Sequence, residues 1–138
     1  MQYGFVKGRS TELQLPNIID EWKLNLDSSG QIDCIYMDFE KVFDKVPHGC
    51  LMSKLQAYGI HSKILLWITD FLDKRQLRVT VNGKFSSWHN VLCGIPQGSI
   101  FGPLLFIIYI NDLPDVCNNL HTKLYIYADD NKLYRHMY

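Results

Sequence analysis

An α+β chain is predicted, an antiparallel sheet with helices packed on one face, and three features of the 138-residue sequence predict it. Two β-type runs, Leu124-Tyr125-Ile126 and Asn131-Lys132-Leu133-Tyr134, flank the acidic turn Tyr127-Ala128-Asp129-Asp130 and read as a hairpin over 124–135 with carboxylates at its tip. A second hairpin is read over 76–92, where Arg75-Gln76-Leu77-Arg78-Val79-Thr80-Val81 alternates into Asn82-Gly83 and a return strand runs through Trp88 to Leu92. The remaining segments carry apolar residues at helical spacing.

Taken in order, Tyr3-Gly4-Phe5-Val6-Lys7-Gly8-Arg9 precedes a helix that Ser10 or Thr11 can cap. Lys7 and Arg9 near its N-terminus form either a phosphate site or simply a charged loop. Leu15, Ile19, Trp22 and Leu26 give this helix an inward stripe; Pro16 is tolerated only in the first turn or at a bend, and Asp27-Ser28-Ser29-Gly30 ends it. Gln31 to Asp38 is an apolar-rich run, read as a buried strand that ends in an acid. A helix from about Pro47 to Tyr58 turns Leu51, Leu55 and Tyr58 inward and stops at Gly59. Ser62 caps the next, whose apolar face is Ile64, Leu65, Ile68, Phe71 and Leu72. Gly94-Ile95-Pro96-Gln97-Gly98-Ser99 is a tight loop whose glycines let backbone approach a planar ligand, and Gln97 offers both a donor and an acceptor. The helix over 99–113 is apolar all round from Leu104 to Ile110 and is expected to be buried.

Composition narrows the classes. With 47% hydrophobic and 13% aromatic residues the chain buries a core and forms at most one compact domain. Fourteen basic residues balance fourteen acidic ones, so nucleic-acid binding must be local rather than driven by a global basic field. Cys34, Cys50, Cys93 and Cys117 form no C-x-x-C pair, which argues against a zinc knuckle or redox motif. No basic and apolar leader opens the chain and the longest apolar run is far too short to cross a bilayer, so a soluble intracellular protein without membrane partners is expected.

The acids carry the chemistry. If the strand ending at Asp38 lies beside the acidic hairpin, Asp38 and Asp129 meet in an oxygen-only site that suits magnesium or manganese better than zinc. Carboxylates held close repel, and a divalent cation is the usual relief. The structural alternative is that Asp129-Asp130 is turn chemistry and Asp38 a helix cap. Lys74, Arg75, Arg78 and Lys84 mark either a solvated face or contact with a nucleic-acid backbone. His48, His61, His89, His121 and His136 have no paired spacing and read as surface or capping residues.

Five segments in order then resemble one family. These are Gly4-Phe5 through Gly8-Arg9-Ser10-Thr11; Tyr36-Met37-Asp38-Phe39-Glu40-Lys41-Val42-Phe43-Asp44 with Val46-Pro47-His48; Gly94-Ile95-Pro96-Gln97-Gly98-Ser99 with Gly102-Pro103-Leu104; Tyr109-Ile110-Asn111-Asp112-Leu113; and Tyr127-Ala128-Asp129-Asp130. Together they closely resemble the reverse transcriptases of non-LTR retrotransposons, the LINE and jockey-like elements. The resemblance implies a polymerase palm-like sheet in an incomplete domain, with about 1–30 a fingers segment and 31–138 the palm. It implies that Asp38 and Asp129 hold two magnesium ions, manganese being possible, and that Asp130 completes the catalytic acids. Phe43 matches the bulky residue under the incoming sugar, Gln97 and Gly98 match the loop on nucleotide and template, and Lys7 and Arg9 fall where basic groups meet template or triphosphate. An RNA template, a DNA primer and deoxynucleoside triphosphates are the implied partners; the oligomeric state is left open.

Four positions depart from the family pattern: Val6 for arginine, Pro16 within a helix usually free of proline, Lys45 for a small polar residue and Phe101 for leucine. The chain is expected to begin inside the fingers and to stop shortly after Asp130, without a thumb or an endonuclease segment. The alternative function is therefore a catalytically inactive retrotransposon remnant, at most a nucleic-acid- or protein-binding fragment. A nucleotide cyclase fits the three acids but leaves Gly94 to Ser99 unexplained.

Overall fold

The computed structural model describes residues 3–117 and 122–137. In chain order the elements are α1 (Thr11–Asp27), β1 (Gln31–Asp38), α2 (His48–Ala57), α3 (Ser62–Asp73), β2 (Gln76–Leu77), β3 (Thr80–Val81), β4 (Lys84–Phe85), β5 (His89–Asn90), α4 (Phe101–Ile110), α5 (Leu113–Cys117), β6 (Thr122–Tyr127) and β7 (Asp130–Met137). The α+β class holds. The chain divides into two compact units, one of Met1–Glu40 with Ile110–Tyr138 and one of Lys41–Tyr109.

The first unit is built on an antiparallel sheet in the order β1-β7-β6. Ser10 caps α1 by accepting from the Leu13 backbone N–H at 3.3 Å. Pro16 lies in the second turn, not the first, and the helix runs through it to Asp27. The inward line of α1 is rotated by one residue from the expected stripe: Gln14, Ile18 and Asn25 are buried, while Leu15, Ile19 and Leu26 are about half exposed. Of the expected four, only Trp22 packs against the core, which Tyr3, Ile18, Tyr125 and Tyr134 form with Ile32, Cys34 and Tyr127 beside them. The reason is the tyrosine-rich sheet face. Buried phenols need acceptors, so Glu21 turns inward to receive Tyr134 Oη and, at 3.4 Å, Tyr125 Oη.

β1 is not the fully buried strand expected. Ile32 and Cys34 meet the core, but Ile35 and Tyr36 are exposed because β1 is an outer strand of the three. The free edge of β6 receives the N-terminal segment: the Tyr3 N–H donates to the Ile126 carbonyl at 2.8 Å, and Gln14 Nε2 reaches the same oxygen at 3.4 Å.

In the second unit α2 packs on α3, with Leu51, Leu55, Ile68 and Leu72 buried. Tyr58, at the C-terminal end of α2, and Ile64, in the first turn of α3, are exposed rather than in the core. Gly59, at φ +82°, terminates α2 as expected. Ser62 does not cap α3: His61 stands at the cap position and no side chain caps this helix.

The second hairpin is interrupted. β2 pairs with β5 and β3 with β4, and all eight of these residues are exposed. The helix expected over 99–113 is two pieces, α4 and α5. In α4 Leu105, Phe106 and Ile110 are buried, whereas Leu104 is half exposed, so uniform hydrophobicity overstated its burial. His121 and the Cys117 side chain lie outside the described residues. Among the described residues no helix is long and apolar enough to cross a membrane.

Candidate active site

The register of the three-stranded sheet brings the acids to one end of it. In the β1–β7 pair Asp38 stands directly opposite Asp130, and in the β6–β7 pair Asp130 stands opposite Tyr127. Ala128 and Asp129 are therefore the two-residue turn of a tight hairpin. Ala128 takes φ +54°, a left-handed conformation that L-residues rarely adopt and that is concentrated at functional sites. Two neighbours brace the turn. Asn131, fully buried, donates from Nδ2 to the Asp129 carbonyl at 2.8 Å. Gly4 presses its backbone against Ala128; a Cβ there would lie 3.1 Å from Ala128 Cβ and closer still to the Ala128 nitrogen.

Directly opposed residues of an antiparallel pair share a face, with Cβ atoms roughly 4.5–5.5 Å apart. That separation brings the Asp38 and Asp130 carboxylates to the same end of the sheet. Asp129 is one residue further out, in the turn. Asp38 and Asp130 are exposed, Asp129 is half-buried, and among the described residues no ion pair neutralises any of the three. The side chains as placed do not form a closed ligand cluster: among the described residues no group of three His, Cys, Asp or Glu converges on one point. The donor set nevertheless fits a divalent cation by its chemistry, being all oxygen and uncompensated.

Lys7 and Arg9 belong to the same unit. Lys7 is exposed, and the Arg9 guanidinium lies 5.3 Å from the Tyr3 ring centroid. On the helix-covered part of the sheet, Lys123 Nζ pairs with Glu21 at 2.9 Å. Burial raises the Glu21 pKa, but the hydrogen bonds from Tyr134 and Lys123 and the Lys123 charge outweigh it and hold the carboxyl below its usual range. Burial first, and then the bond to Glu21, push the Tyr134 phenol well above its ordinary value, so it remains a donor.

Phe43, Gln97 and Gly98 belong to the second unit. Phe43 is half-buried and stacks on Phe106, ring centroids 4.4 Å apart. The loop after Phe43 and the loop before Gln97 are stitched together: Ile95 N–H donates to the Phe43 carbonyl at 2.7 Å and Gly94 N–H to the Val46 carbonyl at 2.8 Å. Gly94, at φ +87°, is required here because a Cβ would stand 2.6 Å from the Asp44 carbonyl oxygen. Its own carbonyl bonds to His48 Nε2 at 2.9 Å and receives Arg75 Nη2. Burial lowers the Arg75 pKa, with Cys93 and Asp44 pulling the other way. Gln97 is exposed and its Nε2 donates to Asp44 Oδ1 at 3.3 Å, while Gly98 takes φ +79° with nothing near its open side.

Sequence reasoning missed several supports of these loops: Asn131, Asp44 and the pair of His48 and Arg75 on one carbonyl. Asn131 left a trace, a polar residue where the strand pattern calls for an apolar one. Arg75 left none, because its partners are backbone carbonyls, here Gly94 and Leu72.

The acids at the end of the three-stranded sheet belong to the first unit, and the stitched glycine-bearing loops to the second. The chain belongs to the reverse transcriptase (RNA-dependent DNA polymerase) family, whose model matches residues 1–136. Its relatives include RNA-directed DNA polymerases of non-LTR retrotransposons. The protein described as probable RNA-directed DNA polymerase from transposon X-element of Drosophila melanogaster is 31% identical over 131 residues, 94% of this chain and 14% of that protein. The probable RNA-directed DNA polymerase from transposon BS of the same species is 30% identical over 142 aligned residues, 94% of this chain and 15% of that protein. The RNA-directed DNA polymerase from its mobile element jockey is 28% identical over 113 residues, 82% of this chain and 12% of that protein. The chain thus spans only a small part of the length of these relatives.

Proposed function

We propose that this chain carries the carboxylate-bearing part of an RNA-directed DNA polymerase that transfers deoxynucleotides to a primer 3′-hydroxyl on an RNA template. The observation that carries the reading is the register, which sets Asp38 opposite Asp130 with Asp129 in the adjoining turn. Asp38 and Asp129 hold the cations in this reading, and Asp130 adds negative potential at the same end of the sheet. Divalent cations, when bound, supply acidity to the primer hydroxyl and charge neutralisation to the departing pyrophosphate. No protein nucleophile is needed. Phe43, fixed by its stack on Phe106, is the residue that bars a 2′-hydroxyl, and Gln97, oriented by Asp44, presents its amide to the nucleotide. Lys7 and Arg9 offer charge to template or triphosphate, and 1–30 and 31–138 are proposed as fingers and palm segments.

Primer extension on an RNA template with magnesium tests the reading. Incorporation that is lost in Asp129→Ala supports it. Incorporation no greater than in that variant overturns the catalytic role and leaves a nucleic-acid- or protein-binding fragment.

A further inference from the structure

We propose that the hairpin spanning residues 76–90 is a separate docking site for unpaired nucleic-acid strands, holding bases by ring stacking and phosphates through Arg78 and Lys84. The Arg78 guanidinium lies over two rings, 3.9 Å from the Phe85 centroid and 4.5 Å from that of Trp88. Neither ring belongs to a core: Phe85 is 59% and Trp88 56% exposed. A guanidinium held against ring faces loses its rotamer freedom in advance and keeps N–H groups at the ring edges, where a phosphate can accept from them. More than half the surface of each of Phe85 and Trp88 is open to a base, and base–aromatic stacking tolerates any sequence because every base has a π-face.

Charge complementarity selects the occupant. From Gln76 to Leu92 the sequence holds Arg78 and Lys84 and no Asp or Glu, in a chain whose fourteen basic and fourteen acidic residues balance overall. A polyanion with planar bases matches cations interleaved with aromatics. A protein strand added along the edge is disfavoured, because β2 to β5 are two residues each and offer almost no ladder to extend.

The platform is fixed without a core beneath it. Asn82 at φ +49° and Gly83 at φ +76° form the tight turn, and Ser86 Oγ accepts from the Val79 N–H at 2.9 Å across the gap between the two strand pairs. A cleft of about 490 Å³ opens beside Phe85, lined by Val79, Val81, Asn82, Lys84 and Ser86. The inference stands on the hairpin alone and uses none of the three acids.

The test is fluorescence anisotropy of the full chain with a labelled, mixed-sequence single-stranded oligodeoxynucleotide in buffer containing EDTA. Trp88→Ala and Arg78→Ala are each expected to weaken binding by about tenfold, in line with the loss of one stacking partner. Lys84→Ala is expected to flatten the slope of log affinity against log salt by about 0.7, the loss of one phosphate contact on a single strand. Lys63→Ala, the same charge removed from the start of α3, leaves affinity within about twofold. No binding by the unaltered chain overturns the proposal. So does affinity in Trp88→Ala and Arg78→Ala within twofold of the unaltered chain, or equal affinity for a blunt duplex of the same length. Because metal is absent, this outcome is independent of primer extension: Trp88-dependent binding without extension supports this site and counts only against the polymerase reading.

Discussion

Replacing Gly94 by alanine separates two costs that the structure makes distinct. The residue sits at φ +87°, where an L-side chain costs about 1–2 kcal/mol. Its Cβ would also stand 2.6 Å from the Asp44 carbonyl oxygen and 2.8 Å from that residue's carbonyl carbon and Cα, all backbone atoms that cannot swing aside. Forced overpacking of this kind adds about 1–3 kcal/mol, for a total of roughly 2–5 kcal/mol, a large share of the ~5–15 kcal/mol that stabilises a domain. Gly59 is the control, since it has φ +82° and nothing within 4 Å of the site of a Cβ. Gly59→Ala therefore bears only the conformational cost of about 1–2 kcal/mol. Urea denaturation of both variants gives the difference, expected at about 1–3 kcal/mol in excess for Gly94→Ala. Equal destabilisation of the two would refute the close approach of the 93–97 loop to Asp44, and with it the stitching of Phe43 and Gln97 to one scaffold.

Three other outcomes follow from the same contacts. The Glu21 carboxyl is held below its unfolded value of 4.5, so its contribution to stability is complete above that pH and is lost as pH falls through the lower folded value; denaturation midpoints from pH 6 to pH 3 should show this loss in the unaltered chain and its absence in Glu21→Gln. Ser10→Ala removes the cap on α1 and should cost about 1 kcal/mol in the same denaturation assay, with Ser10→Asp restoring it. Asn131→Ala deletes the bond to the Asp129 carbonyl and should cost about 1–2 kcal/mol while leaving the Ser10 effect additive, which a double variant checks.

The hairpin was legible because it rests on short-range signals, whereas the register sets Asp38 opposite Asp130 and not, as expected, Asp129. Alternation around Tyr127-Ala128-Asp129-Asp130 fixes a hairpin, and a two-residue turn fixes its register, so Asp38 needed only β1 beside β7 to meet the acidic end. The rotation of α1 was not legible. Its apolar stripe pointed to Leu15, Ile19 and Leu26, yet the helix turns Glu21 inward as the acceptor for the phenols of Tyr125 and Tyr134, a demand set by residues more than a hundred positions away. The same limit hid Arg75 and His48, whose shared partner is a backbone carbonyl with no identity in the sequence. Burial was overstated wherever an apolar pattern reached a helix end or an outer strand, as at Tyr58, Ile64 and Ile35, because pattern specifies a face but not how far the neighbouring element extends.

The central claim is that Asp38 and Asp129, with Asp130 opposite Asp38, form a divalent-cation site. Thermal denaturation across a magnesium titration tests it without requiring turnover. The unaltered chain should gain stability with magnesium, by about 2.7 kcal/mol at one hundred times the dissociation constant, and Asp38→Asn and Asp129→Asn should gain none. A rise of equal size in the unaltered chain and both variants, or no rise in the unaltered chain, would contradict the assignment.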